Sequence, residues 1–198
     1  MSRGPNKQFD EQEALQAAML LFWEKGFAAT SLAELQARMG LGAKSLYDTF
    51  GNKRQLFLRV ISHYTETVTR KLFDSLATRR SPLKAANNIM QTVARLDAGQ
   101  HRGCLLGVVM AQAQRSDDEE LAVYVEAQLR VIEDALTAAF ERALQLGELA
   151  PVLDARDMAR LYTAAFQGAN LIARVRKDDG LSQGVSRALA ALPGAAHR

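Results

Sequence analysis

The 198-residue chain is poor in the residues that most catalytic and crosslinked proteins need. Its single cysteine, Cys104, excludes an intramolecular disulfide and suits a reducing compartment. Only three histidines, His63, His101 and His197, are scattered along it, which leaves few candidates for general-base work. No phosphate loop, metal-hydrolase helix or nucleophile elbow stands anywhere in the sequence, so neither an enzyme nor a cofactor is expected. His101 and Cys104 are near neighbours, but two ligands are too few to hold a metal. No run approaches the roughly 18 apolar residues of a membrane span, and the polar N-terminus has no apolar signal core. The expected location is the cytoplasm, with no membrane partner. Net charge is only +3, so any basic footprint for nucleic acid has to be local.

What the chain does contain is punctuation. Ser31 and Glu34 have the spacing of a capping box, which starts a helix. Leu32, Leu35 and Met39 give that helix an inward face, and Gly40 supplies the left-handed residue that closes it. Gly40-Leu41-Gly42 is then a turn whose leucine plugs the corner. Ala43 to Phe50 forms the next helix, small at its leading end where a major groove must be entered. Gly51 ends it, and Asn52 with Gln55 repeats the capping spacing, so a fourth helix starts at Lys53. Upstream, Asp10 and Glu13 cap a helix lined by Ala14, Ala17, Ala18, Leu21 and Phe22, with Gly26-Phe27 as its glycine stop. This is the rhythm of a helix-turn-helix, and it points to a DNA reader. Residues 1–60 carry eight basic and six acidic side chains, an excess too small to identify nucleic-acid binding by itself. Ahead of the first cap, Arg3 and Lys7 sit in a Gly-Pro arm able to lie along a groove or backbone, plain terminal disorder being the alternative.

Beyond Lys53 the chain reads as helices without a strand pattern. Leu56, Phe57, Val60, Ile61, Tyr64, Val68 and Leu72 run along one long fourth helix. Ser81-Pro82 starts another, Gly103 to Ala113 is apolar nearly all round, and Ser116 with Glu119 opens a long helix to about Gly147. Asp154 caps a further one carrying Met158, Leu161, Tyr162, Ala165, Phe166, Ala169, Ile172 and Val175. The last two helices hold more apolar surface, with small residues such as Ala164 and Gly168, than a monomer needs. A homodimer with a four-helix interface accounts for it; close packing inside one subunit is the alternative. The expected fold is all-α with about nine to ten helices: residues 1–55 as an N-terminal arm and three-helix helix-turn-helix DNA-binding domain, and residues 56–198 as a helical effector-binding and dimerisation domain.

The N-terminal residues are more specific than a generic three-helix module. Ala17, Phe22, Gly26, Thr30, Ser31, Leu35, Gly40, Lys44, Ser45, Leu46, Tyr47, Phe50, Lys53 and Leu56 together resemble the N-terminal domain of the TetR/AcrR family of bacterial transcriptional regulators. The resemblance implies a homodimeric repressor of a palindromic, double-stranded operator, released by a small-molecule effector. Carried over residue by residue, it places Ala43, Lys44, Ser45, Tyr47 and Thr49 on the recognition helix, with Thr30 and Ser31 beside them and Tyr47 and Lys53 on phosphates. One departure is visible: Asp48-Thr49 stands where the family often has a histidine before the phenylalanine, so Asp48 must point away from phosphate or accept from a cytosine amino group. Leu46, Phe50, Phe22 and Leu35 read as core, Lys25 and Arg38 as solvated charges.

Two recognition helices read successive grooves only if they stand about 34–36 Å apart, so control falls to the second domain. The resemblance implies a ligand pocket there whose occupation swings the fourth helix. Its candidate lining is Met90, Val93, Cys104, Leu106, Met110, Tyr124 and Phe166, residues equally suited to a filled core. Cys104 follows His101-Arg102-Gly103, where a cation and a helix N-terminus would favour the thiolate, as in thiol-sensing members with a similar Gly-Cys-Leu-Leu step; an inert buried cysteine is the other reading. The competing class is a helical protein-interaction adaptor, which salt distinguishes: phosphate contacts weaken steeply with ionic strength, apolar groove contacts hardly at all.

Overall fold

The computed structural model describes residues 9–78, 80–96, 103–113, 119–151, 153–177 and 180–190. All regular structure among them is helical, and the chain divides into two compact units between Tyr64 and Thr65.

In the first unit the expected punctuation is realised atom by atom. Helix α1, Glu11–Ala29, begins where Asp10 Oδ1 accepts the N–H groups of Gln12 at 2.7 Å and Glu13 at 3.2 Å. Gly26, with φ 79° and ψ 170°, breaks the regular run where the glycine stop is expected, and a short further turn follows it. A last turn reaches Ala29 because the Thr30 hydroxyl donates to the Gly26 carbonyl at 2.7 Å, and the Thr30 N–H to Phe27 O, holding the chain beyond the break. Helix α2, Leu32–Met39, opens with a reciprocal capping box: Ser31 Oγ accepts from Glu34 N while Glu34 Oε2 accepts from Ser31 N. It closes on Gly40 at φ 67°, a conformation glycine adopts without strain. Helix α3, Ala43–Phe50, follows, and Asn52 and Gln55 exchange backbone bonds of 2.9 Å to start α4, Lys53–Tyr64. Their inward faces meet in a dry core. Phe22, Leu35, Leu46, Leu56 and Val60 are fully buried, and the Phe22 and Phe57 rings meet edge to face at 4.9 Å. Leu41 is buried at the corner of the turn.

The long fourth helix expected to run past Val68 is interrupted. A π-helical turn, Thr65–Thr69, separates α4 from α5, Arg70–Thr78. Its sequence, Thr-Glu-Thr-Val-Thr, is dense in β-branched residues whose rotamers and hydroxyls fit a regular helix poorly, which favours a local widening.

In the second unit α6, Pro82–Leu96, starts with proline at its first position, where the missing N–H costs nothing, and Ser81 Oγ accepts from Lys84 N. Helix α7, Leu105–Ala113, is buried over most of its length, as an all-round apolar segment must be. Helices α8, Glu119–Gln145, and α9, Ala155–Arg176, pack along one another, and α10, Gly180–Ala190, lies against α9 and α6. Asp154 caps α9 by accepting from Arg156 N and Asp157 N. Ser116, expected to cap α8, lies outside the described residues.

Candidate nucleic-acid interface and effector region

Helix α3 presents Ala43, Lys44, Ser45, Tyr47 and Asp48 to solvent, while Leu46 and Phe50 anchor it inward. Tyr47 is 48% exposed, unusual for an aromatic side chain with a core beside it. Thr49 is half-buried, and its carbonyl accepts from Arg59 Nη1 at 2.7 Å. Arg59 also pairs with Glu11 at 2.8 Å and lies 4.8 Å over the Phe50 ring. One guanidinium thereby holds the end of α3 to α4 and to the first turn of α1, a role that no sequence spacing signalled.

The start of α3 is different from every other described start in this unit. Gly42 is the N-cap and offers no side-chain acceptor, and nothing lies within 4 Å of where its Cβ would stand. The first-turn N–H groups thus meet no capping side chain, and an exposed helix N-terminus favours anions. Lys53 flanks the same helix. Its ammonium sits 4.5 Å from the Phe27 ring centroid, and partial burial pushes its pKa below the ordinary lysine value while the Glu34 carboxylate pulls it back.

Of the other residues expected at DNA, Ser31 is exposed with its hydroxyl engaged by Glu34. Thr30 is only 1% exposed, and its hydroxyl is already given to Gly26. Its side chain faces the interior, where it serves the end of α1. Arg3 and Lys7 lie outside the described residues. Lys25 and Arg38 are exposed, as expected of solvated charges, and in addition join α1 to α2: Lys25 bonds Glu34 and Arg38 pairs with Glu24 at 3.5 Å. The Lys25 contact, followed by the Ser31 bonds, holds the Glu34 carboxyl down to about 2.

Among the expected pocket residues, Cys104 and Leu106 are buried and Met110, Tyr124 and Phe166 are half-buried. Met90 and Val93 lie on α6 with side chains outside the described set, as do His101 and Arg102 as whole residues. Cys104 stands at the start of α7, its carbonyl accepting from Val108 N, and its sulfur lies 3.5 Å from Gln167 Nε2 on α9. Nearby, the buried Tyr162 hydroxyl donates to Asn87 Oδ1 at 2.9 Å, and the Phe140 and Tyr162 rings meet at 4.8 Å. Burial pushes the Tyr162 phenol up to about 12.

A short exposed helix set across a capped partner by a glycine corner defines the helix-turn-helix class of DNA readers. The family signature described as "Bacterial regulatory proteins, tetR family" matches residues 14–60, and that described as "Tetracyclin repressor-like, C-terminal domain" matches residues 80–189. The chain is 34% identical, over 96% of its length and 99% of the relative's, to the HTH-type transcriptional regulator YezE of Bacillus subtilis (strain 168). It is 28% identical to the HTH-type transcriptional repressor ComR of Escherichia coli (strain K12), over 87% of this chain and 83% of ComR. Among solved structures, a cysteine-substituted form of the TetR family regulator CifR, in complex with 26-bp double-strand operator DNA, superimposes with TM-score 0.81 at 28% identity, covering 96% of this chain and all of that one. A TetR regulatory protein from Rhodobacter sphaeroides shares the fold with TM-score 0.82 at 21% identity, over 91% of this chain and 96% of that one. The chain belongs to the TetR family of bacterial regulatory proteins. It is a DNA-binding transcriptional regulator, not an enzyme and not a protein-interaction adaptor. No helix among the described residues is long and apolar enough to cross a membrane.

Proposed function

We propose that the protein is a cytoplasmic, homodimeric repressor that binds a palindromic operator through α3 and is released when a small molecule binds its second unit. The observation that carries the reading is the solvent-facing side of α3, with Tyr47, Lys44 and Ser45 outward, an N-terminus that no side chain caps, and Lys53 alongside. Backbone N–H groups, a phenol and ammonium groups are the chemistry that grips phosphate, whereas Ala43 and Ser45 let the helix come close to base edges. Thr30 drops out of the contact set because its hydroxyl is buried and engaged. Arg3 and Lys7 remain candidates for a groove-lying arm.

Dimerisation is supported by α9, whose outward face is apolar and small. Leu161 and Ile172 are each 43% exposed and Val175 83%, and Ala164 and Gly168 lie on the same stripe. On α8 Val123 and Val131 are also exposed, 62% and 58%. A second copy covering these faces would pair two recognition helices, as a palindrome requires. An effector preferring the non-binding state by about 2.7 kcal/mol would lower occupancy roughly a hundredfold. Burial of Cys104 favours a non-covalent effector over direct attack on the thiol.

The decisive experiment selects bound fragments from the host's genomic DNA, starting beside the protein's own gene, and titrates salt. Binding should fall steeply with ionic strength, and Lys53→Ala should reduce the slope of log affinity on log salt by about one while weakening all sequences alike. Tyr47→Phe should also weaken binding, with circular dichroism unchanged. Full operator affinity in both variants would refute the assignment of the contact face.

A further inference from the structure

Helix α9 is inverted in its middle turns. Its outward stripe is apolar, while its inward face places Thr163, Gln167 and Asn170 in the interior of the unit, with exposures of 9%, 6% and 5%. Buried polar side chains ordinarily find partners, and this chain follows that rule elsewhere. The hydroxyls of Thr30 and Thr137 turn back to the carbonyl four residues earlier, each at 2.7 Å, and the Asn170 amide does the same to Phe166 at 2.9 Å. Thr163 departs from this habit. Its Oγ1 and the Oε1 of Gln167 are buried and meet no hydrogen-bonding partner among the described residues. One helical turn apart, they share a face of α9.

The facing element has made room for Gln167. On α7, Gly107 has no Cβ, and one placed there would stand 2.6 Å from Gln167 Oε1 and close to Leu171. At the same end, Gly103 at φ 69° lies against the Asn170 backbone, where a Cβ would come within 3.3 Å of Asn170 O. Cys104 meets the other side of the Gln167 amide. Interchanging the oxygen and nitrogen of that amide would leave an unpaired N–H where the unpaired oxygen now stands, so the deficit belongs to the place and not to the amide's orientation.

We infer that Thr163 and Gln167, the latter facing Gly107 and Cys104, form the polar anchor of a binding site for an uncharged, largely apolar molecule carrying a hydroxyl group. A hydroxyl donates and accepts at one oxygen, so it satisfies either orientation of the Gln167 amide while accepting from, or donating to, the Thr163 hydroxyl. An ionised group does not fit: among the described residues of this unit, none of the buried polar side chains carries a charge to pair with it. The anchor rests on the effector reading only for its consequence at DNA; as a binding site it stands on the α7 and α9 geometry alone.

The test uses the full chain and two matched pairs of probes, phenol with fluorobenzene and n-hexanol with n-hexyl chloride. In thermal unfolding, the hydroxyl member of a pair should raise Tm above its partner by about 5 °C near saturation. That difference should vanish in Thr163→Val and in Gln167→Met, which keep volume and remove the polar group. Without probe, both variants should melt no lower than the parent, since each deletes a buried oxygen that lacks a protein partner and Gln167→Met gives up only the long, weak contact of Nε2 with Cys104 Sγ. Equal protection by both members of each pair would overturn the inference. So would variants that melt lower without probe, because Thr163 and Gln167 would then be filling structural bonds. Operator affinity measured with the same probes separates the two readings. Loss of affinity extends the site to regulation, whereas a hydroxyl-dependent Tm shift at unchanged affinity upholds the site and removes effector release.

Discussion

Helix α2 begins with a serine hydroxyl and a glutamate carboxylate exchanging bonds with two backbone N–H groups. Helix α9 carries in its middle a threonine hydroxyl and a glutamine oxygen that meet no partner. The contrast extends to the units that contain them. In the first, Asp10, Ser31, Asn52, Gln55 and Thr30 all close backbone, and Lys25, Arg38 and Arg59 tie helix to helix. In the second, buried polar groups cluster between α6, α7 and α9, and large apolar side chains stand outside. A unit whose task is to hold one geometry satisfies its polar groups internally, whereas a unit that answers to partners leaves surface and hydrogen-bonding capacity for them.

The largest effect that would sharpen this comparison is in the first core. Phe22→Ala removes a fully buried ring and should cost about 3–5 kcal/mol of stability, read as a lowered midpoint in urea denaturation, with DNA binding lost. Placing a carboxylate on the outward stripe of α9 with Ile172→Glu should instead leave the fold intact and yield a monomer in analytical ultracentrifugation; a variant that remains dimeric would move the interface elsewhere. A smaller and more telling change is Gly42→Asp. It supplies the cap that α3 lacks and should stabilise by a few tenths of a kcal/mol, yet weaken operator binding through repulsion of phosphate. Gain in both properties would show that the bare helix end has no part in DNA binding.

The gentlest test is pH, which should act on the units from opposite ends. Tyr162 is held protonated to about 12 when folded, against 10 when exposed, so its contribution is complete below pH 10 and disappears as pH rises through 12. Glu34, held down to about 2 by Lys25 and Ser31, contributes above the ordinary carboxylate value and loses that contribution as pH falls toward 2. Tyr162→Phe should therefore flatten the alkaline limb of a melting curve and Glu34→Gln the acid limb, the latter slightly because the pair is exposed.

Local chemistry decided which parts of this architecture could be foreseen. The ends at Asp10, Ser31, Asn52 and Asp154 are written in side chains that bond backbone two or three residues away, and the end at Gly40 in a residue free to turn left-handed, so spacing alone identifies them. The π turn at Thr65–Thr69 escaped because apolar periodicity runs on through Tyr64, Val68 and Leu72, and a one-residue widening barely disturbs it. Arg59, Lys25 and Arg38 look like any surface charge until the helices bearing their partners are brought alongside. Helix α9 shows the harder limit. Periodicity groups Leu161, Ile172 and Val175 with Tyr162 and Ala169, but whether an apolar stripe faces its own core or a second copy is a property of the assembled helices. Thr163 and Gln167 gave no signal, since polar residues on a helix are ordinarily at its surface.

Arg59 grips α3 by the carbonyl of Thr49 and by the flat of the Phe50 ring, and makes no bond to Ala43, Lys44, Ser45 or Tyr47. The mounting of the helix and the letters written on it are separate. With α3 reading the operator as proposed, descendants of this chain can trade one operator for another by rewriting the outward positions alone, with the scaffold that aims them left untouched.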